Sequence, residues 1–261
     1  MRLWIASLLF YMFVYLVCEI LRLLIKITFR WKPQNFSRRL LLEFVGTLQI
    51  CAPMFDINII LDSYGLYGVF IEVSFLELAN TILFRDAIAH PCALVLNKRP
   101  NTFRQALMVF IAEMLAGFSS FFLARFFWSF GIHQIHRNML QLDTCDADLT
   151  VAILIGCLIE GVATFSSKAV EYYSKYQDVV KPTILNCFFS GFLTVLGIKY
   201  TGLYANPIVA WSCTFNCEGL THLGHLAVYW IAPIIGWHFA DVVFSNADCD
   251  LTYDRKDSKK E

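Results

Sequence analysis

The stretch Tyr200-Thr201-Gly202-Leu203-Tyr204-Ala205-Asn206-Pro207-Ile208 decides the fold. It closes an apolar run over 183–204 that is long enough to cross a bilayer, which takes roughly 20 residues at 1.5 Å each. Asn is a favoured helix N-cap and Pro a favoured first helical residue, so Asn206-Pro207 starts a new helix. Gly202 permits a tight turn just before it. The new helix runs from Ile208 to roughly Cys217. About ten residues cannot cross about 30 Å of hydrocarbon. Such a segment dips part-way into a membrane only where protein buries it.

A second copy of the pattern lies upstream. His90-Pro91-Cys92 opens another short apolar segment, Ala93 to Leu96. Each x-Pro element follows a charged residue inside an apolar run: Glu43 in Glu43-Phe-Val-Gly-Thr47, and Glu160 in Glu160-Gly-Val-Ala-Thr164. Glu43 precedes His90 by 47 residues and Glu160 precedes Asn206 by 46, so the halves are offset by 116–117 residues. A carboxylate in hydrocarbon is costly and usually has a function. Each half reads as a span with Glu, a second span, an x-Pro element and a third span. Three spans is an odd number, so the second half enters from the opposite face, an inverted repeat. Two short helices entering from opposite faces would bring their N-terminal ends together near the midplane. Backbone donors and positive dipole ends would converge there, with Glu43 and Glu160 accepting hydrogen bonds from the loops before the helices.

Composition agrees with a membrane setting. Of 261 residues, 57% are hydrophobic and 16% charged, and 24 Phe, 11 Tyr and 6 Trp would be costly to expose to water. With 21 basic and 21 acidic residues no basic face is available for nucleic acid. Apolar runs fall near 3–29, 40–60, 66–84, 105–127, 149–167, 183–204 and 226–244. Most Lys and Arg sit on alternate connections: Arg30, Lys32, Arg38 and Arg39; Arg85, Lys98, Arg99 and Arg104; Lys168, Lys175 and Lys181; and Arg255, Lys256, Lys259 and Lys260. The loop at 128–148 is acidic instead, with Asp143, Asp146 and Asp148. The positive-inside rule places the basic connections in the cytosol, so six spans from residue 40 onward begin and end there. The run at 3–29 is too long for a simple signal-peptide core and carries Glu19, Arg22 and Lys26 on one stripe. It spans or lies at the interface. The expected organisation is a hydrophobic segment at 1–34, a channel-like domain at 35–245 (repeat one 40–127, repeat two 149–244) and a cytosolic polar tail at 246–261. A seven-helix receptor matches the number of apolar runs, but it does not explain the paired spacings or the x-Pro elements.

The paired motifs, the stretch Tyr200 to Pro207 and the last span His225-Leu-Ala-Val-Tyr229-Trp230-Ile-Ala-Pro233-Ile-Ile-Gly236 resemble the aquaporin, or major intrinsic protein, family over about residues 40–244. That resemblance implies an all-α membrane fold of six helices and two re-entrant half-helices, with the N-terminal helix as an addition. It implies a passive pore for water and small neutral solutes, no cofactor, no enzymatic activity, and homotetramers in the lipid bilayer. The half-helix tips would be His90, Pro91, Cys92, Asn206, Pro207 and Ile208, and the loop anchors Glu43 and Glu160. Cys92 in the third place of the first motif resembles the unorthodox superaquaporin branch; His90 in place of Asn departs further. Ungapped offsets place the family's selectivity filter at Phe70, Thr194, Leu203 and Val209. That set has no fixed cation and few donors, which suits slow water passage and leaves glycerol or hydrogen peroxide as solutes. A non-conducting scaffold of the same fold is the alternative. The branch implies the endoplasmic reticulum or another internal membrane, with the plasma membrane as the other option. The tail Lys259-Lys260-Glu261 is one position off a dilysine retrieval signal.

Other polar residues fall outside this pattern. Glu72, Glu77 and Asn80 lie in the second core span; a shallow position, protonation or a contact with another protomer would each accommodate them. Cys213 and Cys217 are one turn apart, and either could pair with Cys145 in an oxidising compartment or remain a buried thiol. His225 and Trp230 read as structural. His133-x-x-His136 lacks the further ligands of a metal site, and the sequence shows no catalytic triad or phosphate loop.

Overall fold

The computed structural model describes residues 1–32, 34–83, 87–96, 103–142, 144–175 and 181–257. Arg85, Lys98, Arg99, Asp143, Lys259, Lys260 and Glu261 of the patterns above lie outside the described residues. The described chain is helical, without strands beyond an isolated bridge between Asp146 and Glu218. In order, its helices are α1 (Leu3–Thr28), α2 (Phe36–Cys51), a 3-10 turn (Ala52–Asp56), α3 (Ile57–Leu83), α4 (Pro91–Leu96), α5 (Phe103–Trp128), α6 (Gln134–Met139), α7 (Ile153–Lys175), α8 (Lys181–Thr201), α9 (Pro207–Thr214), α10 (His222–Leu226), a π turn (Ala227–Ile231) and α11 (Ala232–Asp257).

Among the described residues, six helical stretches are long and apolar enough to cross a membrane, which supports an integral-membrane location. One of them, Phe36–Leu83, has 48 residues. That would be about 72 Å of straight helix, far more than the hydrocarbon is thick. It folds back on itself. Gly65 takes φ +65° and ψ −162°, a conformation open mainly to glycine. The two arms return antiparallel, and Gln49 Nε2 donates to Asn80 Oδ1 at 3.0 Å. The apolar run at 40–60 and the described part of the run at 66–84 lie on these two arms.

α1 is built into repeat one. Its buried residues Leu3, Ala6, Phe10, Val14 and Cys18 recur at helical spacing and form one stripe. The stripe packs on Val45 and Leu48 of α2 and on Phe127 and Trp128 of α5. The opposite face leaves Trp4, Met12, Leu16, Leu23 and Ile27 exposed, an apolar surface suited to lipid. The seam between α1 and α3 is polar. The Tyr11 hydroxyl donates to Glu72, and the Tyr15 hydroxyl to Asn80 Oδ1 at 3.1 Å. Glu72 and Asn80 are therefore met by the chain's own N-terminal helix rather than by another protomer. Nearby, Asp56 accepts from Nε2 of buried His136 at 3.0 Å, which pins α6 over the corner between α2 and α3.

Repeat two has different braces. α7 and α11 cross so closely that a β-carbon on Gly236 would collide with the Gly161 backbone. Tyr229, fully buried in the π turn, donates its hydroxyl to Thr201 O at 2.8 Å. Cys145 and Cys217 form a disulfide, Cα–Cα 4.8 Å, while Cys213 stays a free thiol. α9 stops at Thr214, three residues short of the expected end, because Asn216 turns at φ +64° and carries Cys217 toward Cys145. α11 continues past 244 to Asp257.

Candidate functional site

The two x-Pro elements meet tip to tip. In repeat one, the backbone N–H groups of Ile88 and Ala89 both donate to Glu43 Oε1, at 2.8 and 2.5 Å. In repeat two, the N–H groups of Tyr204 and Ala205 donate to Glu160, at 3.2 and 2.8 Å, and the Thr201 hydroxyl adds a third bond at 2.7 Å. Ala89 and Ala205 both take φ +48°. That left-handed conformation is unusual for a residue with a β-carbon, and here it turns successive N–H groups toward one carboxylate, as in a backbone nest. The Thr of each Glu-x-x-x-Thr motif bonds back to its own Glu carbonyl, Thr47 at 2.9 Å and Thr164 at 2.8 Å. Both Glu side chains are buried. Glu113, also buried, lies beside Glu43 in repeat one; nothing in the Glu-x-x-x-Thr motif pointed to it.

Pro91 and Pro207 are the first residues of α4 and α9. Asn206 caps α9, its Oδ1 accepting from Ile208 N at 3.1 Å. Its Nδ2 donates to Ala89 O at 2.9 Å across the repeat boundary. The reciprocal contact comes from His90, whose Nε2 lies 3.2 Å from Ala205 O. A carbonyl only accepts, so Nε2 carries the proton. His90 Nδ1 is buried without a hydrogen-bond partner. Cys92 and Ile208 are fully buried behind the tips.

A cavity of about 520 Å³ runs beside the joined tips. At one end, Thr150 Oγ1 donates to Lys199 O at 2.7 Å, and Asn58 Nδ2 donates to Asp148 Oδ1 at 3.0 Å. Asp148 also accepts from the Tyr204 hydroxyl; burial raises its carboxyl above the usual carboxylate range, opposed by those two bonds. The far end is marked by Ser174 Oγ, which bonds to Asn186 Oδ1 at 2.6 Å. The Asp148 end is walled by Ile57, Val73, Thr194, Leu203 and Val209, the far end by Glu77, Thr81, Ser167, Lys168, Glu171 and Asn186. His90 and Asn206 lie between.

Three of the four expected filter positions, Thr194, Leu203 and Val209, line this cavity together. Phe70 does not. Its ring stacks on Phe188 of α8, centroids 6.0 Å apart, and the space on that side is closed by Gly191. Val73, one helical turn further along α3, faces the cavity instead. The ungapped offset misses this because a count along the chain does not fix which face α3 turns to the cavity at that depth. Glu77 and Lys168 also line the cavity. The hydrophobic pattern showed Glu77 as a polar residue inside a span and put Lys168 on a basic connection, without saying which way either faces. His225 is buried against Thr214, Nε2 to Oγ1 3.2 Å, and Trp230 packs edge-on against Phe110. Among the described residues, no group of three or more His, Cys, Asp or Glu is placed to hold a metal ion.

No protein-family model matches the chain. Individual relatives do. The chain is 26% identical over 232 residues to aquaporin-11 of Milnesium tardigradum, covering 88% of this chain and 83% of that protein. It is 23% identical over 212 residues to aquaporin-11 of Homo sapiens, with 78% and 76% covered. It is 24% identical over 205 residues to aquaporin-12 of Mus musculus, with 74% and 69% covered. Together with an all-α bundle of membrane-length helices, these distant likenesses make the chain a remote homologue of aquaporins and support its membership of the aquaporin superfamily.

Proposed function

We propose that the chain is a passive channel for water and small neutral solutes such as glycerol or hydrogen peroxide, of the unorthodox superaquaporin branch. The reading is carried by the reciprocal hydrogen bonds between the His90 and Asn206 tips beside a cavity whose walls extend toward both ends of the bundle. In a bilayer α4 and α9 are re-entrant half-helices, anchored by Glu43 and Glu160, and their backbone dipoles point at the lumen. An amide nitrogen has two donors. One from Asn206 bonds Ala89, and the other is left for a passing solute. His90 has its one proton on Ala205, so the first tip offers its backbone only. Thr194, Leu203, Val209 and Val73 form a largely apolar constriction that admits water slowly.

Sidedness has two supports. The positive-inside rule places the Lys168 end in the cytosol. The Cys145–Cys217 disulfide sits at the opposite end, with Asp148, which fits an oxidising lumen or exterior. The resemblance to superaquaporins favours the endoplasmic reticulum and a homotetramer. A non-conducting scaffold is the second reading, favoured by the engaged His90 proton and the apolar constriction. Vesicles loaded with purified protein separate the two. Swelling faster than empty vesicles for water, glycerol or peroxide supports the channel, whereas rates equal to empty vesicles for all three support the scaffold.

A further inference from the structure

Among the described residues, none that walls the Asp148 end of the cavity carries a fixed positive charge: the position where a filter cation is expected holds Val209, and its neighbours are Thr194, Leu203 and Val73. The other end has one in an ordered setting. The Lys168 ammonium lies 2.7 Å from Glu171 Oε2 and 4.1 Å from the centre of the Trp237 ring. Trp237 in turn packs on the His90 ring, centroids 4.5 Å apart. All four residues line the cavity. The Lys168 side chain is 10% exposed and that of Glu171 42%. Glu171 is also three residues further along α7, toward the end marked by Ser174 and Asn186. The order inward is therefore carboxylate, ammonium, indole, imidazole.

We propose that Lys168 is the charge-selecting residue of the lumen, holding a fixed positive charge between the mouth and the His90 tip so that cations are turned back. The proposal rests on the conducting reading. A cation–π contact and an ion pair hold the ammonium in place. Glu171 weakens its field on the mouth side, and Glu77 on the α3 wall contributes a second acidic group. On the His90 side the ammonium faces the Trp237 ring, which itself packs on the His90 ring. Low-dielectric walls strengthen that field relative to bulk water. A neutral solute feels little of it.

The test is the ratio of potassium flux to flux of the fastest neutral solute among water, glycerol and peroxide, measured on the same vesicles, so that differences in the number of open pores cancel. Lys168→Met should raise the ratio about tenfold, while Lys168→Arg should keep it near the wild-type value. Glu171→Gln, which unmasks the ammonium and does not depend on Lys168 variants folding, should lower it. A rise below about threefold in Lys168→Met, with neutral flux still above empty vesicles, overturns the charge-selecting role and leaves the channel reading intact. An unchanged or higher ratio in Glu171→Gln also overturns it. Absence of neutral flux in the wild-type protein removes the channel reading and this proposal with it.

Discussion

The two tips share a backbone and differ in what their side chains can give. Each has a buried Glu, two successive N–H groups aimed at it, an alanine at φ +48° and a Pro at the first helical position. Repeat two places an amide at its tip, which caps its own helix, bonds the opposite loop and keeps a donor free. Repeat one places an imidazole there, which bonds the opposite loop and has an orphaned Nδ1. Their supports differ as well. Repeat two closes on itself through Thr201 and Tyr229 and is tied by the disulfide to the loop before it, whereas repeat one leans on α1 and has a second buried carboxyl, Glu113, beside its anchor. The backbone scaffold is held symmetric because both loops must present donors at one point; the side chains at that point are free to diverge.

The largest expected effect comes from breaking the better-built anchor. Glu160→Ala leaves the Tyr204 and Ala205 N–H groups and the Thr201 hydroxyl without their acceptor, and should destabilise the protein by about 3–5 kcal/mol, read as a fall in thermal midpoint in detergent. Next is the disulfide. It closes 72 residues of chain, so Cys217→Ser should cost about 2–4 kcal/mol, whereas Cys213→Ser, which breaks no crosslink, should cost less than half of that. Tyr11→Phe tests whether α1 braces repeat one: it strips the donor from Glu72 and should cost about 1–3 kcal/mol. An equal midpoint for Tyr11→Phe and wild type would mean that α1 only lies alongside. The smallest effect is functional. His90→Asn makes the tips alike and restores a free donor, so neutral-solute flux should rise by about two- to tenfold, the value of one hydrogen bond. A fall in flux would show that the imidazole itself serves passage.

Much of this was legible in the sequence, for reasons that differ from one element to the next. Glu43 and Glu160 stand out because a carboxylate inside an apolar run is expensive, and the spacing to His90 and Asn206 survives because both loops must reach one point. Asn206-Pro207 announces a helix start through local capping chemistry alone. Phe70 packs on Phe188 rather than lining the cavity, since an offset counted along the chain does not fix how α3 is rotated at that depth. The partner of Glu72 was invisible because Tyr11 lies 61 residues away on a helix outside the repeat. Which of Cys213 and Cys217 joins Cys145 depends on the turn at Asn216, which the periodicity of α9 does not reveal. The reversal at Gly65 was legible only as a gap between two apolar runs.

The central claim is that the cavity beside the joined tips is the path of the solute. Placing a large side chain in that path tests it most directly. Thr194 lines the cavity near Leu203 and Val209, so Thr194→Trp in purified, folded protein should bring vesicle swelling down from the wild-type rate to that of empty vesicles. A plugged variant that still swells its vesicles at the wild-type rate would contradict the account.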